Sequence, residues 1–209
     1  MTTASSPLFI AFEGGDGTGK STQATRLAQH LLAAGREVEL TFEPGDTALG
    51  AALREAVLHG EPMDARTEAL LYAADRAHHV HTVIRPALAQ GKIVITDRYI
   101  DSSLAYQGVG RGLGEGAIAD LSRWATDGLL PDLTIVLDVD VDTARRRRRG
   151  EPDRLEREAA AFHERVRQAF LRLAEAAPQR YLVVDAARDP QTVAAAISRR
   201  VGELLEGRA

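Results

Sequence analysis

The sequence predicts an α/β protein, a doubly wound parallel sheet of about five strands flanked by helices, and two patterns carry that expectation. Short, nearly all-apolar runs recur at 8–12, 38–42, 93–96, 133–137 and 181–184, as strands covered on both faces require. Between them, helical periodicity fills 21–34, 48–58, 65–90, 115–126, 142–149, 156–176 and 190–205. Alternation of this kind points to parallel strands joined by crossover helices. The 209 residues, 44% hydrophobic and 27% charged, suit one domain with a substantial core. A single domain over 1–209 is therefore expected, with 1–7 disordered.

The first strand runs into Gly14-Gly15-Asp16-Gly17-Thr18-Gly19-Lys20-Ser21-Thr22 and then a helical pattern. This is G-x-x-x-x-G-K-[ST] in its confirming context of strand, glycine loop and helix, a P-loop. Glycines let consecutive N–H groups turn towards a polyphosphate, and the helix start adds a partial positive charge. Lys20 supplies a point charge to the β- and γ-phosphates, and the Ser21 hydroxyl is a ligand for Mg2+. The motif predicts binding of a nucleoside triphosphate and does not by itself fix the fate of the γ-phosphate.

Later elements have their own signals. Pro86 falls inside the long 65–90 pattern and should kink or restart that helix. The run Ile93-Val94-Ile95-Thr96 ends in Asp97, which is placed to aim a carboxylate at a metal and its waters. Arg98 follows as a cation at the strand end, where crevice ligands of α/β sheets sit. Glycine at every second position from Gly108 to Gly116 reads as a mobile loop. The arginine-dense stretch 145–157, interrupted by Gly150 and Pro152, reads on its own as a solvated face. Asp138, closing the fourth apolar run, reads as structural rather than as a second metal carboxylate. His78 and His81 share a helical face at i, i+3, but a third metal ligand is not evident.

Composition removes several classes of function. There is no cysteine, which excludes a disulfide scaffold, an iron–sulfur cluster, a thiolate zinc site and a cysteine nucleophile. A net charge of −4 gives no global case for nucleic-acid binding. No apolar run is long enough to span a membrane. The opening MTTASSP lacks the basic and apolar segments of a secretory leader, so a cytoplasmic location is expected. Of the 26 basic residues only Lys20 and Lys92 are lysines.

Taken together, FEGGDGTGKSTQ, EPGDT, LLYAADRAHH, TDRYIDSSLAYQGVGR, PDLTIVLDV and RGEPDRLERE, in this order, resemble the thymidylate kinases of the P-loop nucleoside-monophosphate kinases. The resemblance covers nearly the whole chain, from about residue 8 to 201. It implies transfer of the ATP γ-phosphoryl to dTMP with Mg2+, a lid over about 145–157, and a homodimer with the 65–90 helix in its interface. It further implies that Asp16 contacts the sugar 3′-hydroxyl, that Glu43 lies near the acceptor phosphate, and that Arg98 holds that phosphate. Tyr72 would stack on thymine with Arg76 one turn on, and Ser102 or Ser103 could bond the base or cap a helix. Tyr106 and Gln107 would close the nucleoside pocket, Tyr106 crowding the sugar 2′-carbon.

There are two departures from the family pattern. Phe42 stands where an arginine commonly precedes Glu-Pro, so that charge is absent or comes from elsewhere, Arg54 being one source. Gly17 stands where some members carry a P-loop arginine. The bacterial type with glycine there draws its arginine from the lid, which makes Arg149 and Arg154, with Arg147 third, the catalytic candidates beside Lys20, Asp97 and Arg98. Competing expectations are another nucleoside-monophosphate or deoxynucleoside kinase, and a P-loop switch ATPase. The Asn-Lys-x-Asp guanine motif of GTPase switches does not occur.

Overall fold

A computed structural model describes residues 7–148 and 150–207. Five parallel strands, β1 (Leu8–Glu13), β2 (Val38–Phe42), β3 (Ile93–Asp97), β4 (Leu133–Asp138) and β5 (Tyr181–Asp185), lie in the order β2-β3-β1-β4-β5. Every strand pairing is parallel. β1 is central and buried along its whole length. Its alternate residues feed opposite layers, as the period of two demands. Leu8, Ile10 and Phe12 pack with Leu27, Leu31, Val193 and Ile197 on one face, whereas Phe9 and Ala11 pack with Val94, Ile84 and Ile118 on the other. The edge strands β2 and β5 are only partly covered. The chain switches sides of β1 between β3 and β4, so the carboxyl end of β1 is where a ligand crevice opens.

The helices are α1 (Lys20–Ala33), α2 (Ala48–His59), α3 (Ala65–His79), α4 (Arg85–Ala89), α5 (Ile100–Ser103), α6 (Glu115–Thr126), α7 (Val141–Arg147), α8 (Ala160–Ala176) and α9 (Pro190–Glu206). Caps fix several starts: Thr47 accepts from Gly50 N, Asp64 from Arg66 N and Thr67 N, Asp140 from Thr143 N. Two sequence expectations are corrected, and the break expected at Pro86 is present: the 65–90 stretch is α3 and α4 joined by a π-helical turn over Val80–Ile84. Pro86, near the start of α4, lacks the N–H that an unbroken α-helix would use, and the wider turn absorbs the break. The glycine-rich stretch is not all loop. A second π-helical segment, Leu104–Gly110, continues α5 and includes Gly108 and Gly110, leaving only 111–114 irregular before α6. Helix α8 starts at Ala160 rather than 156, because 154–157 forms a turn on the Asp153 carboxylate. The expected disorder of 1–7 falls, apart from Pro7, outside the described residues.

Candidate active site

The loop after β1 wraps the start of α1 as its glycines permit. Gly14, Gly17 and Gly19 have φ of 130°, 83° and 94°, a region that glycine enters without strain. At Gly17 the packing is decisive as well, because a Cβ there would collide with the Ala144 carbonyl oxygen. Lys20 is buried, and its Nζ donates to the carbonyls of Gly14 (3.1 Å) and Gly15 (2.8 Å), inside the loop it would share with a polyphosphate. Burial and the nearby Arg98 charge push its ammonium below the usual lysine range. Thr18 Oγ1 donates to Gly15 O (2.9 Å) and stiffens the turn.

Ser21 Oγ donates to Asp97 Oδ2 at 2.5 Å, although the two lie 76 positions apart. Asp97 Oδ1 is buried and has no hydrogen-bond partner. A hydroxyl beside an unsatisfied carboxylate oxygen is a donor set that suits a hard divalent cation, so these residues fit the Mg2+ expected of them.

Arg98 has φ 74°, which for a residue with a side chain costs roughly 1–2 kcal/mol. Its guanidinium is fastened all round. Nη1 donates to Ser102 Oγ (2.9 Å) and Gly14 O (3.3 Å), while Nη2 meets the Asp16 carboxylate and Tyr106 OH (3.5 Å). Tyr106 OH also donates to Asp16 Oδ2 (2.8 Å). Burial opposes the charge on Asp16, but Arg98 and Lys20 outweigh it and hold the carboxyl well below its usual range. Asp16 is thus tied to Arg98 and Tyr106. Ser102 and Ser103 lie within α5 and cap nothing: Ser102 bonds Arg98 and Glu13, and Ser103 accepts from Arg76.

Two clefts open on this cluster. One, about 560 Å³ with its mouth, is lined by Tyr72, Arg76, Ser102, Ser103, Tyr106 and Gln107 among others. The other, broader one is lined by Lys20, Ser21, Thr22, Asp97, Arg147 and Arg148. Both share Asp16, Glu43, Arg54 and Arg98 as walls. Arg54 lies over the Phe42 ring, 5.9 Å from its centre, and donates to Pro44 O at 2.8 Å. It thus puts a cation beside the place where Phe42 stands in lieu of arginine.

Glu43 is buried, with Oε2 on Arg76 Nε and Oε1 against His79 Nδ1, both at 2.8 Å. Arg76 is 2% exposed and also donates to Ser103 Oγ and Tyr99 O (2.9 Å each), so both Glu43 oxygens are engaged and Arg76 is fixed in place. Of His78, His79 and His81 it is His79 that is buried, and its Nε2 meets Thr41 Oγ1 at 2.5 Å. Gln107 Nε2 donates to Glu68 Oε1 (2.8 Å).

The lid differs from expectation. Arg154 does not reach the P-loop cleft. Its Nε donates to Val57 O (3.0 Å), and its Nη1 stands 2.7 Å from Glu68 Oε2, too oblique for a hydrogen bond. Glu68, wholly buried on α3, also pairs with Arg111 (3.2 Å). Among the described lid arginines it is Arg148 that meets the P-loop, with Nε 3.5 Å from Asp16 O and Nη1 3.1 Å from Glu156 O. Arg147 bonds Ala186 O (2.7 Å) at the margin of the same cleft. Arg149 lies outside the described residues. Asp138 is structural, gripping Arg167 of α8 through both oxygens (2.7 and 2.9 Å).

Sequence reasoning missed Glu13, Glu68, His79 and Arg148. For Glu13 one signal was present, a lone charge closing an apolar strand. Its buried carboxyl is pushed up to about 8 by burial and by Asp101, against hydrogen bonds that favour the anion.

Comparison with known proteins gives one answer. A family model described as thymidylate kinase matches residues 12–197. The chain is 58% identical over 202 residues to a thymidylate kinase of Clavibacter michiganensis subsp. michiganensis, spanning 95% of this chain and 96% of that one. It is 50% identical to a thymidylate kinase of Thermomicrobium roseum over 201 residues, 95% and 96% of the two chains. A crystal structure of thymidylate kinase from Ehrlichia chaffeensis superposes with a TM-score of 0.78 at 34% identity, over 94% of this chain and 98% of that one. The chain belongs to the thymidylate kinase family.

Proposed function

We propose that this protein transfers the γ-phosphoryl group of ATP to the 5′-phosphate of dTMP, giving dTDP and ADP. The observation that carries the reading is the wall shared by the two clefts. Asp16, Glu43, Arg54 and Arg98 border both, so a triphosphate on the P-loop and a monophosphate in the second cleft meet end to end. An oxygen of the acceptor phosphate attacks the γ-phosphorus as the bond to the β-bridging oxygen breaks. That oxygen is already anionic, so alignment and charge neutralisation do the catalytic work.

Lys20 and the loop amides hold the donor phosphates. Ser21 and Asp97 would hold Mg2+, which when bound neutralises charge on the phosphates. Arg98 grips the acceptor phosphate from its fixed position. Asp16 keeps lone pairs beyond its bonds to Arg98 and Tyr106, enough to accept a sugar hydroxyl. Tyr72, Arg76, Ser103 and Gln107 line the space for the base. Tyr106, wedged edge-on against Phe162 and Phe170, keeps its ring against the sugar. Arg148 takes the part of lid arginine at the P-loop.

The chain acts as a homodimer in the cytoplasm. Supporting the dimer, α3 and α6 form an apolar groove along Ala69, Leu70, Ile118 and Leu121, with Leu70 58% exposed. Light scattering of the purified protein checks that state. An ATP-coupled assay across dTMP, dUMP, UMP, CMP, AMP, GMP and thymidine tests the activity: dTMP should dominate and thymidine, lacking the phosphate for Arg98, should be inert. Preference for another acceptor, or slow hydrolysis indifferent to all of them, refutes the reading.

A further inference from the structure

We propose that Glu13 is a positioning residue that aims the Arg98 guanidinium at the acceptor phosphate, an inference that rests on the phosphate-binding role of Arg98. Glu13 ends β1 and is fully buried; it borders neither cleft and so does not touch a nucleotide. Its carboxylate lies beneath the turn that carries Arg98 out of β3. Oε1 accepts from Tyr99 N (2.9 Å) and Ser102 N (3.1 Å), and Oε2 accepts from Ser102 Oγ (2.6 Å).

Two consequences reach Arg98. The first is through the backbone. Arg98 N donates to Phe12 O at 2.9 Å, and the next amide, Tyr99 N, donates to Glu13. Consecutive residues of β1 thus clamp both amides flanking an arginine held at φ 74°, a conformation that persists only when its surroundings impose it. The second is through Ser102. A serine hydroxyl has a single proton, and the ionised Glu13 carboxylate receives it. The oxygen's lone pairs are left for Arg98 Nη1, which donates at 2.9 Å. Glu13 therefore sets the polarity of the bridge, and the bridge sets one edge of the guanidinium. Asp16 holds the other edge, so without Glu13 the arginine is drawn to one side, away from the midline of the shared wall.

The test compares Glu13→Gln and Ser102→Ala with the parent in steady-state kinetics at pH 9, where Glu13 is ionised, varying dTMP and ATP separately. Glu13→Gln should raise KM for dTMP about tenfold, equivalent to about 1.4 kcal/mol, while KM for ATP moves less than about twofold. Ser102→Ala removes the bridge together with one group of the cleft wall, so it should show at least the same selective rise, about threefold, and Glu13→Asp, which shortens the clamp and keeps the charge, carries the test if Glu13→Gln fails to fold. KM for dTMP within twofold of the parent in the folded variants, or KM for ATP rising in parallel, overturns the proposal. A parent that leaves dTMP untouched sinks the functional reading instead. An active parent with unmoved variants sinks the role of Glu13.

Discussion

Replacing Glu68 by glutamine removes one negative charge from the place where the lid meets the acceptor cleft. The carboxylate is wholly buried, and Arg111 and Arg154 beside it are 19% and 18% exposed. Removing one partner of a buried ion pair is destabilising by about 3–5 kcal/mol. Both arginines keep other acceptors, the Glu158 carboxylate for Arg111 and Val57 O for Arg154, and both retain some access to water. The low end, about 3 kcal/mol, is the appropriate figure. At about 2–4 °C per kcal/mol for a chain of this size, the melting temperature should fall by about 6–12 °C in differential scanning calorimetry. Gln107 then faces a neutral acceptor in place of a charged one, so KM for dTMP should rise together with the drop in stability. A melting temperature within about 2 °C of the parent would refute the idea that this carboxylate holds the lid.

The lid arginines should separate in kinetics. Arg148→Ala, beside the P-loop, should lower kcat by about 10³-fold, whereas Arg154→Ala should chiefly lower thermal stability and weaken dTMP binding; the reverse assignment would show that the lid rearranges in turnover. Tyr106→Ala should narrow the preference for dTMP over its ribonucleotide counterpart, measured as the ratio of the two kcat/KM values. Burial, and then the charge of Glu43, raise the Asp75 carboxyl from 3.8 to about 6. The folded state therefore holds this proton more tightly than the unfolded chain does, and stability declines as pH climbs through that window. Asp75→Asn should flatten that decline in urea titrations between pH 4 and 6, and an unchanged slope would remove Asp75 as its source.

The strands and the phosphate loop were legible because their signals are local. An apolar run bounded by turn residues, or a glycine pattern after a strand, needs no knowledge of distant partners. Arg98, Asp97 and the acceptor cleft followed from motifs whose order along the chain is itself specific. What stayed hidden depends on contacts between remote positions. Ser102 lies 89 positions from the Glu13 that orders it, and Glu68 looks like any charged residue in a first helical turn until Arg154 arrives from the lid. His79 lies between the His78 and His81 whose spacing drew notice, yet of the three it is the one buried against Glu43. The helix over 100–110 escaped notice because glycines at 108 and 110 suggest a break, and the wider π turn matches neither the helical nor the strand period.

That wider turn has a bearing on how the pocket tolerates change. Arg111 N closes back onto Tyr106 O, five residues away, at 2.8 Å, so this stretch holds one residue more per loop of hydrogen bonds than an ordinary helix. The surplus lets neighbouring side chains, Tyr106 and Gln107, both be buried. Excising a single residue here would restore the common winding and swing everything downstream by about 100°, turning one of the pair out into solvent. A change in the length of this wall is therefore felt on both sides of the cleft.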